Sequence, residues 1–170
     1  MDTIHAITDR RSVRKYKQDA VKDEDLRTIL EAGRQAPSGG NRQPWEFVIV
    51  TDDELKQKVA DACNGQMWMA DAAVIIAGCG LPNVSEKWWV VDPTIALQNM
   101  ILAATALGYG TCWIGAFKED EVKRLLNIPE DVRVICLTPV GVPDAEPPAR
   151  PRKEPKEIFR LNGYDEPFEP

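Results

Sequence analysis

Histidine is almost absent from this sequence, and the motifs that bind metals or pair cysteines are missing. The 170 residues contain one histidine, His5, with no H-E-x-x-H motif and no cluster of metal-ligand types. The four cysteines, Cys63, Cys79, Cys112 and Cys136, form no C-x-x-C pair. Three of them stand in apolar or strand-like segments, which predicts buried thiols in a reducing compartment. We therefore expect neither a metal site nor a disulfide framework.

Long apolar runs and a positive net charge are also missing. The longest apolar stretch, at about residues 95–107, contains Gln98 and Asn99 and is too short to span a bilayer. The first residues lack a basic segment followed by an apolar run, so we expect no signal peptide and a cytoplasmic protein. A net charge of −6 argues against nucleic acid as the main partner.

What is present fits one globular domain. A chain of this length, with 44% hydrophobic and 28% charged residues, can bury a core without disulfide or metal support. Helical and strand patterns alternate along it, and no internal repeat is visible. This alternation indicates a mixed α and β class.

Caps and apolar periodicity predict five helices. They cover residues 3–10, 23–35, about 53–63, 93–107 and 119–126. Asp2 or Thr3 caps the first, and Asp52 or Asp53 caps the third. Asp92 followed by proline predicts an acidic N-cap for the fourth helix, whose residues are apolar on nearly all sides and therefore belong in the core.

Apolar runs predict strands over residues 45–51, 72–79, 111–114 and 132–142. Pro139 interrupts the last run and suits an edge strand or a strand end, because proline has no backbone N–H to donate. Five prolines then fall within residues 143–155, which predicts a stiff, extended segment. The chain thus divides into a domain at 1–155 and a C-terminal extension at 156–170.

The extension carries isolated apolar side chains without a periodic face. These are Ile158, Phe159, Leu161, Tyr164 and Phe168. Such a segment needs a surface to lie on, which is either its own domain or a partner subunit. The sequence leaves both alternatives open.

One short basic segment runs against the acidic average. Arg10, Arg11, Ser12 and Arg14 follow the first helix, and guanidinium and hydroxyl groups match phosphate in charge and geometry. A solvated basic loop is the alternative interpretation. A nucleic-acid patch is disfavoured by the acidic remainder of the chain.

Three further segments suit a flat, phosphorylated ligand. In residues 36–45, two glycines permit close backbone approach, and Ser38, Asn41 and Gln43 offer the hydrogen bonds that a flavin edge requires. Gly115 and Ala116 leave room for a ring. Arg150 and Arg152 are presented by neighbouring prolines with less entropy to lose. A plain turn remains an alternative for 36–45, and plain packing for the small residues.

In this order, the segments resemble the nitroreductase family of flavoproteins over about residues 3–155. The resemblance is carried by Arg10-Arg11-Ser12-Val13-Arg14, by Ala36-Pro37-Ser38 with Asn41 and Gln43-Pro44-Trp45, and by Thr111-Cys112-Trp113-Ile114-Gly115. It implies an α+β fold, an α/β/α sandwich with a central, mostly antiparallel sheet. It also implies an intimate homodimer with exchanged terminal segments and one FMN at each of two subunit-interface sites.

The resemblance assigns cofactor contacts by position. The implied set is Arg10, Arg11, Ser12, Arg14, Pro37, Ser38, Asn41, Gln66, Gly115, Ala116, Arg150 and Arg152. The 10–14 segment is assigned to the phosphate, ribityl chain and pyrimidine edge, with Arg14 on the N1/O2 side. Residues 37, 38 and 41 are expected to reach the flavin of the other subunit. Gln66, Gly115 and Ala116 are placed near the ring, and Arg150 and Arg152 near the phosphate.

Two departures from the family are visible. Many members have an acidic residue where Gly115 stands, so a contact there can only come from the backbone. The region between Cys79 and Asp92 is short, and Trp88 and Trp89 stand where longer members insert helices over the substrate channel. These tryptophans either pack in the core or interface, or form a wall for an aromatic acceptor.

The implied activity is an FMN-dependent oxidoreductase. It transfers hydride from NADH or NADPH through flavin N5 to an organic acceptor such as a nitroaromatic or a quinone. No catalytic side chain is expected, because the cofactor carries the chemistry. The alternatives are a reductive dehalogenase or another flavin reductase on the same fold, and a non-enzymatic flavin-binding protein.

Overall fold

A four-stranded antiparallel sheet forms the centre of the computed structural model, which describes residues 1–170. The strands are β1 (Trp45–Val50), β2 (Val74–Gly80), β3 (Gly110–Thr111) and β4 (Arg133–Gly141), in the order β1-β2-β4-β3. Three predicted strands are confirmed. The remaining strand, β3, is shorter than the predicted 111–114, although Ile114 forms an isolated bridge with Leu137 of β4.

The helices have the predicted order. They are α1 (Thr3–Asp9), α2 (Asp23–Arg34), α3 (Asp53–Ala62), α4 (Val91–Ala106), α5 (Glu119–Leu126) and a short α6 (Pro155–Ile158), with 3-10 turns at Gly39–Asn41 and Met67–Asp71. The side chains of Asp2 and Asp52 cap α1 and α3, as expected. None of the helices has both the length and the apolar character needed to cross a membrane.

Helices cover both faces of the sheet. On one face α2 and α4 pack around Ile29, Ile76 and Leu97, and on the other α3 and α5 pack around Ile75 and Val122. Neighbouring β2 residues serve opposite layers because side chains alternate along a strand. Since both faces are covered, every residue of β2 is buried. The predicted α/β/α sandwich is confirmed.

Helices α2 and α4 approach each other at a glycine. A Cβ atom placed on Gly33 would overlap the side chain of Met100. Glycine accommodates that side chain without any shift, so the C-terminal end of α2 packs closely on α4. The following residues, 36–44, therefore start from a fixed position over the first turns of α4.

The predicted start of α4 is wrong. The backbone N–H of Asp92 already donates to the Trp88 carbonyl at 2.9 Å, and Val90 has helical dihedral angles. The helix begins at Val91, so Asp92 lies inside its first turn rather than at the N-cap. Its carboxylate is therefore free for another partner.

The position expected for Pro139 is also wrong, because β4 is an internal strand. Leu137 exchanges both backbone hydrogen bonds with Ile114, so the amide nitrogens of Leu137 and Pro139 point to the β3 side. On that side, Pro139 lies between two paired points of β4. Leu137 is bridged to Ile114, and Val140 and Gly141 pair with β3. No N–H is required there, and an internal strand tolerates the proline.

The four cysteines are free and buried, which confirms the prediction of buried thiols. Burial raises the pKa of each, to about 12 for Cys63 and about 11 for Cys79. The pKa of Cys112 is also raised by burial, against the opposing effects of Arg14 and of a hydrogen bond with Ser12. These thiols therefore stay protonated at neutral pH.

The C-terminal extension folds on itself. A bridge joins Arg160 to Pro167, and the N–H of Phe168 donates to the Phe159 carbonyl at 3.1 Å. Four of its five apolar side chains are exposed, with Leu161 at 50% and Tyr164 at 87%. The extension thus does not pack on its own domain.

Candidate functional site

A cavity of about 450 Å³ lies between the 10–14 segment and the proline-rich 147–152 segment. Its lining residues are Ile7, Thr8, Arg10, Arg11, Ser12, Arg14, Pro147, Pro148, Ala149, Arg150 and Arg152. Five of them are arginines, none is acidic, and none of the five arginines forms an ion pair. We call it the arginine cavity. It concentrates uncompensated positive charge in a chain of net charge −6, and its volume is typical of small-molecule sites.

Two buried residues hold the first wall of the arginine cavity in place. Val13 and Tyr16 are buried, and Val13 packs where a Cβ on Gly110 would lie, at 2.8 Å. The Val13 N–H donates to the Thr111 carbonyl at 2.9 Å, and the Tyr16 hydroxyl donates to the Val13 carbonyl at 2.9 Å. Because these two residues point inward, their polar neighbours Ser12 and Arg14 are left to line the cavity.

The five arginines differ in how many donors they keep free. Arg11 donates to the Thr8 carbonyl at 2.7 Å, so part of its fork is used within the chain. Arg152 donates to the Arg150 carbonyl at 3.2 Å. The side chains of Arg10 and Arg150 make no hydrogen bond within the chain, so all their donors are available to an anion.

Trp68 connects the arginine cavity to a second part of the expected site. Its ring stacks on Tyr16, with centroids 6.4 Å apart, and lies 6.0 Å from the guanidinium carbon of Arg14. Sequence analysis missed this residue. Its only signal was an aromatic side chain two positions after Gln66.

Gln66 and Ala116 meet beside Trp68. The Gln66 amide donates to the carbonyls of Cys63 at 2.9 Å and Ala116 at 3.4 Å. Gly115 and Ala116 are exposed, and a Cβ on Gly115 would meet nothing within 4 Å. The structure therefore leaves open space at the position expected to face a ring.

The loop with Pro37, Ser38 and Asn41 lines no part of the arginine cavity. It is fixed instead by the start of α4: the N–H of Gly39 donates to the Asp92 carboxylate at 3.0 Å, and a Cβ on Gly39 would lie 2.6 Å from the Trp88 ring. The resemblance assigns this loop to the partner's flavin, and that assignment stays a prediction.

Asp92 is a buried carboxylate, with only 3% of its surface exposed. It lies in the first turn of α4, where the helix dipole favours negative charge. Its side chain accepts one hydrogen bond within the chain, from Gly39. Sequence analysis missed this role, because it interpreted Asp92 as a cap for its own helix.

The two tryptophans after β2 occupy different places. Trp88 is half-buried against Gly39, with the Lys87 ammonium 4.7 Å from its ring centroid. Trp89 packs against Gly80, and the Arg133 guanidinium lies 5.5 Å from its ring. Trp88 is therefore the one that adjoins the 38–41 loop.

A neighbouring cavity of about 410 Å³ lies on the other side of Arg11. Its lining includes the carboxylates of Asp9, Asp144 and Glu146. The Lys15 ammonium lies 2.7 Å from the Asp144 carboxylate and holds the pKa of that carboxyl below its ordinary value. An anion is less favoured here than in the arginine cavity. No group of three histidine, cysteine, aspartate or glutamate side chains is placed to hold a metal ion.

Comparison with known proteins indicates the family of the chain. The model of the nitroreductase family matches residues 7–79 and 68–142. A protein of Archaeoglobus fulgidus, provisionally named NADH dehydrogenase/NAD(P)H nitroreductase, is 36% identical over an alignment of 152 positions, which covers 85% of this chain and 87% of that protein. An iodotyrosine deiodinase of Thermotoga neapolitana is 28% identical, over 91% of this chain and 95% of its own.

A solved structure extends the likeness to the fold. The NADPH:FMN oxidoreductase of Vibrio harveyi, complexed with NAD⁺, superposes with a TM-score of 0.89 at 29% identity. The match covers 96% of this chain and 78% of that one. The family match spans more than half of the sequence and includes residues 10–14 and the strands β1, β2 and β4. The chain therefore belongs to the nitroreductase family and is an oxidoreductase.

Proposed function

We propose that the arginine cavity binds the phosphate of FMN and that the protein transfers hydride from NAD(P)H to a small organic acceptor. One observation carries the proposal: five unpaired arginines line a cavity that has no carboxylate. A phosphate monoester has about two negative charges at neutral pH and three acceptor oxygens, which is the ligand such a lining fits. The choice of a flavin as cofactor and of NAD(P)H as reductant rests on the names of the relatives.

Each part of the lining has a distinct role in this proposal. Arg10 and Arg150 bind the phosphate, because their donors are free. Ser12 offers a hydroxyl to the ribityl chain. The Arg14 guanidinium lies over the Trp68 ring and is assigned to provide positive charge at the pyrimidine edge of the flavin. Gly115 and Ala116 leave space for the ring.

Bound FMN supplies the hydride chemistry that no side chain here can supply. The chain's own residues bind, orient and shield the reacting groups. The buried thiols stay protonated at neutral pH and take no part. No residue is assigned the role of catalytic acid or nucleophile.

The proposal includes a homodimer. The packed helices α1 and α4 expose apolar side chains, among them Ile4, Ile7, Val91 and Ile95, which are 68%, 52%, 44% and 36% exposed. An apolar surface on two adjacent helices is typical of a subunit interface. The 37–41 loop completes the flavin site of the second copy, and residues 156–170 lie on that copy as an arm.

Purification under native conditions tests the core of the proposal. We expect a yellow protein, or a colourless one that becomes yellow with added FMN, and NAD(P)H oxidation in the presence of menadione or nitrofurazone. Sedimentation at micromolar concentration should give twice the chain mass. A protein that does not bind FMN at millimolar concentration contradicts the assignment of the arginine cavity to the FMN phosphate.

A second candidate is reductive dehalogenation on the same fold, which the iodotyrosine deiodinase relative favours. An acceptor panel that includes iodotyrosine, with NADH, NADPH and dithionite as alternative reductants, separates the two. Iodide release identifies the dehalogenase. Bound FMN without turnover of any acceptor identifies a flavin-binding protein.

A further inference from the structure

A smaller cavity of about 320 Å³ adjoins the 38–41 loop and shares no lining residue with the arginine cavity. It is lined by Arg42, Val84, Ser85, Glu86, Lys87 and Trp88. None of these residues belongs to the FMN contacts argued above. Two are cations, and neither forms an ion pair with any carboxylate of the chain.

Both cations are held in position by the loop and by Trp88. The Arg42 guanidinium donates to the Gly39 carbonyl at 3.0 Å through one nitrogen, which leaves its other donors free. The Lys87 ammonium lies 4.7 Å from the centroid of the Trp88 ring. Since Gly39 packs on that same ring, the two cations flank one fixed element. They are therefore partly preorganised to meet a single anion.

The place of this cavity indicates which anion it meets. Arg42 directly follows the loop that the proposed function assigns to the flavin, so the cavity adjoins that proposed contact. Arg42 and Lys87 are both exposed, so they can meet the outer end of a ligand whose reacting end lies at the flavin. The reductant NAD(P)H has that shape, with nicotinamide at one end and an adenosine at the other.

We infer that Arg42 and Lys87 bind the 2′-phosphate of NADPH and make the enzyme prefer NADPH to NADH. The inference rests on the proposed function, because it assigns the outer end of the reductant of that same site. The 2′-phosphate is a monoester with about two negative charges, which two unpaired cations match. The phosphates of the diphosphate bridge each have one charge and occur in both nucleotides, so they cannot separate them.

Glu86 is the only carboxylate in the lining and opposes the anion. Substitutions of opposite effect are therefore available at this cavity. Removing a cation must weaken binding of the 2′-phosphate, and removing the Glu86 charge must strengthen it. Lys58, an exposed and unpaired cation of α3, provides the control.

The test uses two fragments that differ only in the 2′-phosphate. Adenosine 2′,5′-bisphosphate and adenosine 5′-monophosphate are titrated by calorimetry into the purified protein with its bound FMN. We expect the bisphosphate to bind about tenfold more tightly, a ratio that falls to about twofold in Arg42→Ala and Lys87→Ala and rises in Glu86→Gln. Lys58→Ala leaves it unchanged. The kcat/KM ratio of NADPH to NADH should change in parallel.

Equal binding of the two fragments overturns the inference, and so does an equal loss for both in Arg42→Ala, which would place the cation at the diphosphate or adenosine instead. The proposed function fails separately, if the protein binds no FMN or oxidises neither nucleotide. Circular dichroism of each variant confirms that the fold is retained. Because fragment binding requires no turnover, the two failures are distinguishable.

Discussion

Loss of Arg10 or Arg150 should weaken binding of FMN far more than binding of riboflavin, which lacks the phosphate. Neither side chain makes a hydrogen bond or an ion pair within the chain, so its removal leaves no unsatisfied partner in the protein. Arg10 is half-buried, whereas Arg150 is exposed. The two positions therefore differ in how strongly water competes for the guanidinium.

The expected magnitudes follow from this difference. A charge-assisted hydrogen bond contributes about 1.5–3 kcal/mol when shielded, so Arg10→Ala should weaken FMN binding by roughly 10- to 150-fold. At the exposed Arg150 the contribution falls to about 1 kcal/mol, or roughly fivefold. Both losses should shrink as salt is raised, because counterions screen the phosphate.

Quenching of flavin fluorescence on titration of the apoprotein measures both affinities. Riboflavin should bind each variant within about twofold of its affinity for the parent protein. The control is Arg27→Ala, an exposed and unpaired arginine on α2. An equal loss for FMN and riboflavin would mean that these arginines support the fold or the ring, and the phosphate assignment would be wrong. Unchanged FMN binding in both variants would remove the arginine cavity from the mechanism altogether.

Three further predictions concern the frame of the site. Asp92→Ala leaves the Gly39 N–H without its acceptor and should cost about 1–3 kcal/mol in urea denaturation, together with FMN affinity; Asp92→Asn keeps an acceptor and should recover most of both, and equal losses in the two variants would contradict the role. Burial raises the pKa of Cys63 and Cys79 from an ordinary value of 9.0 to about 12 and about 11. The neutral thiols thus contribute stability that is complete below pH 9 and is lost as pH rises toward 12; urea midpoints should fall over that window, less steeply in Cys63→Ala, and an unchanged slope would refute the linkage. The pKa of Glu119 is lowered by a bidentate hydrogen bond from Arg133 at 2.8 Å, so the pair's contribution to stability is present above pH 4.5 and is lost as pH falls through the folded pKa. Glu119→Gln should cost about 1 kcal/mol at pH 7 and make the urea midpoint fall less steeply toward acid pH. A variant curve parallel to that of the parent protein would exclude the pair as the source of the acid dependence.

Local signals in the sequence predicted most of the secondary structure. The bounds of α5 match the predicted 119–126, and the strands of the sheet lie where apolar runs stand. These features depend on periodicity and caps within a few residues, which a single sequence displays. The errors at Asp92 and Pro139 have different origins. The start of α4 is displaced locally, because the Asp92 N–H already bonds to the Trp88 carbonyl, whereas the bond from Gly39 to the Asp92 carboxylate spans 53 positions and has no local signal. The position of Pro139 depends on a short neighbouring strand.

The same contrast between local signals and contacts of distant residues applies to the candidate site. Composition alone singled out the arginines at 10, 11, 14, 150 and 152, because five cations in two short segments of an acidic chain are conspicuous. The contact of Trp68 with Arg14 had no comparable signal, because a cation–aromatic contact across more than 50 residues arises only from folding. Residues 37, 38 and 41 are a third case, since their expected ligand lies on another copy of the chain.

The two walls of the arginine cavity come from segments that are far apart in the sequence. Residues 10–14 precede all four strands of the sheet, whereas residues 147–152 follow them. A ligand that binds both walls, as the proposed function has it, favours the state in which both segments are in place, because a ligand that binds only one state stabilises that state by mass action. Under that proposal, the ligand couples the position of the proline-rich segment to that of the first helix.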